Sequence, residues 1–187
     1  AETGARAVTI ASPPHTHGQM VLTAIARGCH VLSEKPFARN ADEGRQLLAV
    51  AERAGVIHLL GNQFRVLPER ILIAKAVAEG AIGKPRLLTM IQHVSLMTTG
   101  IQWPDWWLDP NAGGGWLGAS GSHMIDQAHS WLGRITRLRA VTPVVREGQT
   151  DVEDAYAVRL EMANGVQGII QQTGAAYGPI AAMTRVV

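Results

Sequence analysis

A glutamate and a lysine, both able to take part in acid–base chemistry, stand side by side where a short strand is predicted to end. Glu34-Lys35-Pro36 follows the apolar segment 30–33 and precedes a predicted helix. Open α/β sheets bind ligands outside the carboxyl ends of their strands. We therefore expect both side chains to lie at the ligand-binding edge of the predicted sheet. Pro36 biases Lys35 toward an extended backbone, which gives the amine a defined direction. The structural alternative is a surface lysine that caps strand-end carbonyls.

A stiff loop lies between the first predicted strand and the first predicted helix. Its sequence is Ser12-Pro13-Pro14-His15-Thr16-His17. Two adjacent prolines remove backbone donors and restrict the chain. The His-x-His pair raises the question of a metal ion. Two histidines without a nearby cysteine or carboxylate make a poor ligand set, and we expect no metal site.

A third group of polar side chains shares one face of a predicted helix. This helix runs from about Ser120 to Leu132, and His123 and Asp126 are three residues apart within it. Gln127 occupies the next position of the same face. The glycines at 113–115 either allow a close approach of the backbone or end a tryptophan-rich loop. A purely structural role for the helical histidine is the alternative.

Strands and helices alternate in the first third of the chain. Asn40 and Glu43 have the spacing of a capping box at the start of a helix from Ala41, and Gly55 ends it. The other elements expected here are strands at 7–11, 30–33 and 56–60 and a helix at 17–27. Alternation with short connections predicts a parallel sheet with right-handed crossovers.

The pattern changes beyond residue 62. We predict a helix at 68–78 and strands at 86–96, 137–145, 155–162 and 166–173. Asn164-Gly165 is a hairpin signal between the last two strands. The predicted fold class is α/β plus α+β: a partial Rossmann-like parallel sheet in residues 1–62, then a larger, mainly antiparallel sheet domain in residues 63–187. We expect the last strands to be unfinished, with no closing element before Val187.

Composition restricts the possible partners. Apolar residues make up 47% of the 187 residues and charged residues 17%, with a net charge of +2, so a folded core is expected. No basic run with interleaved aromatics points to nucleic acid. The apolar runs are broken within about ten residues, too short to span a membrane. Cys29 is expected to be a reduced core thiol in a cytoplasmic protein.

Four segments in this order carry a resemblance to a known family. They are the Ser12–His17 loop, Glu34-Lys35-Pro36, the glycines at 113–115, and Gly121-Ser122-His123-Met124-Ile125-Asp126. Together they resemble the Gfo/Idh/MocA family of nicotinamide-dependent sugar and polyol oxidoreductases. The resemblance spans nearly all of the chain. The family's G-x-G-x-x-G fingerprint is absent from this sequence, and we expect the front and the tail of the family fold to be missing.

The resemblance implies an enzyme that uses NAD or NADP and transfers a hydride between nicotinamide and a carbon of a sugar or polyol. Lys35 would polarise the reacting oxygen, and His123 would act as acid and base on the hydroxyl. Substrate-binding roles fall on Arg65, Trp106 and Asp126. The implied cofactor-binding residues are Ser12, Pro13, Pro14, His15, His17, Glu34 and Lys35. The open sheet of the second domain would join two copies in a homo-oligomer.

The chain departs from the family pattern at Ala119, where the family has an aspartate that orients the histidine. Without this carboxylate, the imidazolium form of His123 has less support. A catalytically inert sugar-sensing or regulatory member of the family is therefore an alternative, as is an NAD-assisted glycosidase. For Trp106, filling the core is the alternative to stacking on a sugar. Asp154 is expected to be a structural cap or turn residue.

Overall fold

The computed structural model describes residues 3–147 and 151–187. It divides into two compact units. The first comprises the chain up to Asn62 together with Asp105–Gly114, and the second comprises Gln63–Pro104 and Gly115–Val187. The segment Asp105–Gly114 thus groups with the first unit, whereas the sequence analysis placed it in a domain of residues 63–187.

The first unit is built on a three-stranded parallel sheet in the order β1-β2-β3. Its elements in chain order are β1 (Ala7–Ile10), α1 (Pro14–Ile25), β2 (His30–Glu34), α2 (Ala41–Ala54) and β3 (His58–Gly61). Apolar side chains of the sheet and both helices form one core, among them Ile10, Val21, Ile25, Val31 and Leu47. The predicted parallel sheet is confirmed.

The two helices of this unit test the sequence signals at their ends. The side chain of Asn40 accepts a hydrogen bond from the Glu43 backbone N–H at 2.9 Å, and Gly55 ends α2 with a φ of 65°, as the capping-box spacing predicts. The predicted start of α1 at residue 17 is wrong. The helix begins at Pro14, because proline suits the first helical turn, where no N–H partner is needed.

The second unit contains a five-stranded sheet in the order β5-β6-β7-β4-β8. Its strands are β4 (Leu87–His93), β5 (Ile135–Val141), β6 (Ala155–Met162), β7 (Gln167–Thr173) and β8 (Ala181–Val186). Only the β4–β7 pair is parallel among the four pairings described. The predicted fold class, a parallel sheet followed by a larger and mainly antiparallel sheet, is confirmed. The helices are α3 (Pro68–Ala78) and α4 (Ser122–Leu132).

The second unit contains one strand that was not predicted, and two predicted strands have other bounds. The unpredicted strand is β8, which pairs antiparallel with β4 at the edge of the sheet. Its sequence Ala-Ala-Met-Thr-Arg-Val lacks a clear apolar alternation, so the pattern gave no strand signal. The strand predicted at 86–96 is shorter, because a 3-10 turn occupies Leu96–Thr98. The strand predicted at 137–145 begins and ends earlier, at Ile135 and Val141.

Candidate functional site

The carboxyl ends of β1 and β2 bring two predicted site segments to one edge of the parallel sheet. Ile10 pairs with Ser33, and Glu34 pairs with Gly61, so the strands end in register. The loop that begins at Ser12 and the Glu34-Lys35 pair follow directly. The first unit therefore presents the loop and the acid–lysine pair at the edge where open α/β sheets bind ligands.

His17 ties these two segments together. Its side chain is 1% exposed, its Nε2 lies 2.7 Å from the carbonyl oxygen of Ser12, and its Nδ1 lies 3.0 Å from that of Pro36. Both ring nitrogens thus face carbonyl oxygens of the chain. The cofactor contact predicted for His17 stays a prediction, and the contacts observed for the ring are with the two segments at the sheet edge.

The start of α1 is organised by a chain of hydroxyl groups. Thr16 Oγ1 donates to the carbonyl oxygen of Pro13 at 2.8 Å, and the hydroxyl oxygens of Ser12 and Thr16 lie 2.5 Å apart. The Ser12 hydroxyl also lies 3.4 Å from the sulfur of Met20, which can accept its proton. These contacts join the loop after β1 to the first turns of α1.

Glu34 and Lys35 occupy a crowded end of β2. A Cβ added at Gly61 would lie 2.9 Å from Glu34 Oε1, so a side chain there would displace the Glu34 carboxylate from its position. The other carboxylate oxygen accepts a hydrogen bond from the Lys35 backbone N–H at 3.3 Å, and the Lys35-Pro36 peptide bond is cis. Burial lowers the pKa of the Lys35 amine, and the Glu34 carboxylate partly opposes that shift. The lowered pKa makes this amine easier to deprotonate than an ordinary lysine, a property that suits a group in proton transfer.

A π-helix precedes α4 in the second unit. It covers Leu117–Gly121 and includes Ala119, the position where the family pattern has an aspartate. Glu153 holds its start: the carboxylate accepts from the Leu117 N–H at 2.9 Å, and its backbone carbonyl accepts from Trp116. Gly115 has a φ of 101° and leaves the space that this carboxylate occupies. Such π-helical turns occur often at functional sites, and nothing in the sequence pattern indicated this one.

His123 and Gln127 lie one turn apart on α4, as the helical spacing predicts. His123 is 3% exposed and stacks on Phe64, with ring centroids 4.1 Å apart and an angle of 11° between the planes. Gln127 is 1% exposed, and neither its amide nitrogen nor its amide oxygen has a hydrogen-bond partner within the described residues. The sequence placed Gln127 on this face but gave it no role.

Arg65 and Asp126, both predicted to bind substrate, bind each other. Arg65 Nε and Nη2 donate to the two carboxylate oxygens of Asp126 at 2.7 and 2.6 Å. The hydrogen bond to Asp126 raises the pKa of the Arg65 guanidinium. The pair has the parallel two-bond geometry that fixes the orientation of both planar groups.

A buried polar network connects the π-helix to the sheet. Gln172 Oε1 accepts hydrogen bonds from Ser120 Oγ, at 2.7 Å, and from the Tyr156 hydroxyl. The Gln172 amide nitrogen donates to Gln92 Oε1 at 2.8 Å. Burial raises the pKa of Tyr156 above its ordinary range. The network anchors the residue next to Ala119, and no sequence signal pointed to it, because its members lie on four separate elements.

Asp154 is structural, as predicted. Its carboxylate is fully buried and accepts hydrogen bonds from the backbone N–H groups of Val145 and Arg146 at 2.8 and 2.9 Å.

In the first unit, His15 and Trp106 line one open pocket of about 400 Å³. No three His, Cys, Asp or Glu side chains come together as a metal site within residues 3–147 and 151–187. Every helix in the described part of the chain falls short of the length and apolar character that a membrane crossing requires.

Comparisons with known proteins agree with both units. Residues 1–62 match the oxidoreductase family with an NAD-binding Rossmann fold, and residues 71–187 match the GFO/IDH/MocA C-terminal domain. Levoglucosan dehydrogenase of Pseudarthrobacter phenanthrenivorans is 28% identical over 204 residues, which cover 91% of this chain and 50% of that protein. An uncharacterized oxidoreductase of Synechocystis is 31% identical over 184 residues, 92% of this chain and 50% of its own length. The chain thus spans about half the length of these curated relatives.

Solved structures show the same likeness. A levoglucosan dehydrogenase in complex with NADH and levoglucosan superposes with a TM-score of 0.87 at 25% identity, covering 97% of this chain and 52% of that one. GenD2 from gentamicin A biosynthesis, in complex with NAD, gives a TM-score of 0.86 at 28% identity, with the same coverage of 97% and 52%. The sequence motifs, the two sheets and the matched domains lead to one conclusion: the chain belongs to the Gfo/Idh/MocA family of oxidoreductases.

Proposed function

We propose that the chain serves an NAD(P)-dependent oxidoreductase that acts on a sugar or polyol. The observation that carries the proposal is Lys35. This lysine lies at the carboxyl edge of the parallel sheet, with its pKa lowered by burial and with the Glu34 carboxylate beside it. An amine at this edge can stabilise negative charge on an oxygen or exchange a proton with it.

The residues present fit the nicotinamide end of the cofactor. The Ser12–His15 loop and Glu34-Lys35 follow two neighbouring parallel strands and are tied together through His17. In the proposed enzyme they hold the nicotinamide and its ribose, and bound NAD(P) supplies the hydride acceptor.

Each site residue has a part that follows from its own surroundings. Lys35 holds positive charge against the developing alkoxide. His123, oriented by its stack on Phe64, takes the hydroxyl proton. Arg65 and Asp126 present a fixed pair of donor and acceptor groups to substrate hydroxyls, and Trp106 offers an aromatic face.

The substrate class is drawn from the relatives. Besides the levoglucosan dehydrogenase, a D-apiose dehydrogenase of Paraburkholderia graminis is 28% identical over 171 residues, and an inositol 2-dehydrogenase of Rubrobacter xylanophilus is 39% identical over 82 residues. All three names are those of sugar or polyol dehydrogenases. A ring-shaped sugar or polyol is therefore the proposed substrate for this chain.

The proposal extends to domains, assembly and compartment. Residues 1–62 would form the cofactor domain and residues 63–187 the substrate and dimerisation domain. The outer face of the second sheet exposes Leu87, Ile169 and Met183 at 52%, 53% and 45%, and a second copy of the chain would cover it. A buried free thiol at Cys29 supports a cytoplasmic location.

The test is turnover with NAD⁺ or NADP⁺ and a panel of levoglucosan, D-apiose and myo-inositol, followed by the appearance of reduced nicotinamide. Lys35→Met should lower kcat by about a hundredfold or more, the range of a lost acid–base group. Lys84→Met removes the same charge from an exposed lysine of the second unit and should leave turnover unchanged. Near-normal turnover of Lys35→Met would contradict the mechanism.

A second candidate function rests on Ala119. The π-helix carries alanine at the position of the family's orienting aspartate, so a sugar-sensing or regulatory member without turnover is the competing proposal. Ala119→Asp separates the two. A rise in kcat with unchanged KM supports an enzyme with a weakened acid–base group. Unchanged, undetectable turnover together with intact sugar binding supports the sensor.

A further inference from the structure

We propose that a pocket between α3 and the sheet of the second unit binds a small monocarboxylate with an apolar body. The pocket has a volume of about 250 Å³ and is lined by residues of α3, β4 and β8 together with Met124 of α4. The residues proposed above for the cofactor and the sugar are absent from its lining as the structure describes it. The inference therefore goes beyond the proposed function and does not depend on it.

Arg70 in α3 carries the proposal, because its guanidinium has donors that the chain does not use. Nη1 donates to Thr184 Oγ1 of β8 at 2.6 Å, the one hydrogen bond of this side chain among the described residues. Nε is buried and has no hydrogen-bond partner there. A guanidinium has five N–H donors, and a buried donor without a partner is unfavourable. Arg70 can therefore bind a further acceptor.

The charge of Arg70 also lacks a close counter-ion. Residues 3–147 and 151–187 place no carboxylate at ion-pair distance from its nitrogens. Burial lowers the pKa of the guanidinium, and the exposed Glu69 carboxylate only partly opposes that shift. A charge that is removed from water without a partner is unfavourable. A bound carboxylate would supply the opposite charge, and its two oxygens match the planar fork of the guanidinium.

Gln92 in β4 offers a second donor to the same pocket. Its Oε1 accepts a hydrogen bond from the Gln172 amide at 2.8 Å, so the oxygen end of this amide is already bound. The amide nitrogen has no partner within the described part of the chain. Both polar groups that the pocket offers from α3 and β4 are thus donors, which suits a ligand whose polar end is an acceptor.

The rest of the lining restricts the ligand to a small body with one negative charge. Ile73, Met90 and Met124 contribute apolar side chains, so a polyhydroxylated body would lose water without gaining hydrogen bonds. The volume is below the range of about 300–1,000 Å³ that is usual for drug-sized ligands. Glu69 also lines the pocket, and its carboxylate would repel a second negative charge on the ligand.

The test is ligand-observed NMR on the 187-residue chain at neutral pH with three probes of similar size. The probes are 3-methylbutanoate, its uncharged amide 3-methylbutanamide, and the dianion succinate. 3-Methylbutanoate should bind at least about tenfold more tightly than the amide, the ratio expected when a charged acceptor replaces a neutral one. It should also bind more tightly than succinate. Equal affinities for acid and amide, or no saturable binding of the acid, would overturn the proposal.

Two matched variants test the role of the arginine. Arg70→Gln keeps a polar side chain without the charge and should reduce the affinity for 3-methylbutanoate to that of the amide. Arg185→Gln removes the same charge from the exposed neighbour of Thr184 in β8, which does not line the pocket, and should leave the affinity unchanged. Equal losses in both variants would show that the net charge of the chain attracts the anion, and would overturn the site.

A third variant tests the same pocket with Arg70 in place. Ala182 lines the pocket from β8, is exposed and pairs with Gln92. Ala182→Phe places a ring in the pocket and should abolish binding of 3-methylbutanoate, while circular dichroism should show an unchanged fold. Undiminished binding in folded Ala182→Phe or in folded Arg70→Gln would overturn the assignment. None of these results depends on NADH binding or turnover, so the oxidoreductase proposal stands or fails separately.

Discussion

Arg65 and Asp126 lie 61 residues apart in the chain and form a two-bond ion pair, with N–O distances of 2.7 and 2.6 Å. The aspartate side chain is 16% exposed and the arginine 55%. Each of the two side chains thus has an ion-pair partner within the chain itself. A substrate hydroxyl that reaches this pair meets a guanidinium and a carboxylate whose relative orientation is already set.

Arg65→Lys should affect substrate binding more than folding. Lysine keeps the charge but not the planar pair of donors, so the fixed orientation of the Asp126 carboxylate is lost. Because the pair is largely exposed on the arginine side, its contribution to the free energy of unfolding should stay below about 1 kcal/mol. The expected result is a KM for sugar raised by about tenfold, with little change in the urea midpoint.

The matched control for this variant is Arg137→Lys. Arg137 and Glu161 form an exposed pair in the same unit, with a shortest N–O distance of 3.5 Å. Steady-state kinetics and urea unfolding of both variants make the comparison. Equal effects on KM, or a large loss of stability in Arg65→Lys alone, would show that the Arg65–Asp126 pair is structural.

Lys35 should titrate below the ordinary lysine value of about 10.4. Burial disfavours its charged form, and the Glu34 carboxylate offsets only part of that effect. Reductive methylation with ¹³C-formaldehyde followed by NMR across alkaline pH measures this pKa directly. The resonance that is missing in Lys35→Met identifies the residue, and a pKa at or above the ordinary value would refute the assignment.

The same shift has a consequence for stability. The pKa of Lys35 is lower in the folded state than in the unfolded state. Burial of the charged amine therefore destabilises the folded state at neutral pH. The wild-type chain gains stability as pH rises through the folded-state pKa. Lys35→Met should therefore be more stable than wild type near pH 7, and the difference should shrink toward alkaline pH.

Gln127 and Gln172 should respond in opposite directions to the same substitution. Both are 1% exposed, but the Gln172 amide joins Ser120, Tyr156 and Gln92, whereas that of Gln127 has no hydrogen-bond partner among the described residues. Gln127→Met should raise the free energy of unfolding by about 1 kcal/mol, because it removes a buried polar group without a partner. Gln172→Met should lower it by roughly 2–4 kcal/mol, since it orphans the groups that the amide satisfied. Urea unfolding compares them, and a loss of stability in Gln127→Met would mean that its amide is satisfied in solution.

Tyr156 should set part of the alkaline stability limit. Burial raises its pKa above the unfolded value of about 10, so its contribution is fully present below that pH and is lost as pH rises through the shifted pKa. Tyr156→Phe removes one hydrogen bond to Gln172 and should cost about 1 kcal/mol at neutral pH. Above pH 10, its stability should fall less steeply than that of wild type. Parallel slopes would show that the phenol does not titrate with unfolding.

Local signals predicted the fold well where they were strong. The Asn40 cap, the Gly55 stop and the Asn164-Gly165 turn fixed the ends of α2 and of the β6–β7 hairpin. The strand β8 was not predicted, because its apolar alternation is weak and the segment is a strand through its pairing with β4, a long-range contact. The π-helix was not predicted for a similar reason: the N–H group of Leu117 at its start is bound by the carboxylate of Glu153, 36 residues away.

The sequence offered candidate site residues but not the contacts between them. Motif and spacing singled out Lys35, His123, Arg65 and Asp126. They did not reveal that Arg65 and Asp126 are each other's partners, nor that both ring nitrogens of His17 face backbone carbonyl oxygens. Side-chain partners across separate elements follow from tertiary packing, which a pattern along the chain does not encode.

The central claim is that the sheet edge with Glu34 and Lys35 holds the nicotinamide end of the cofactor. The most direct measurement is a titration of the chain with NADH and with reduced nicotinamide mononucleotide, followed by energy transfer from tryptophan to the reduced ring. We expect saturable binding of both ligands and weaker binding by Lys35→Met. No saturable transfer with either ligand, in a chain shown to be folded by circular dichroism, would contradict it.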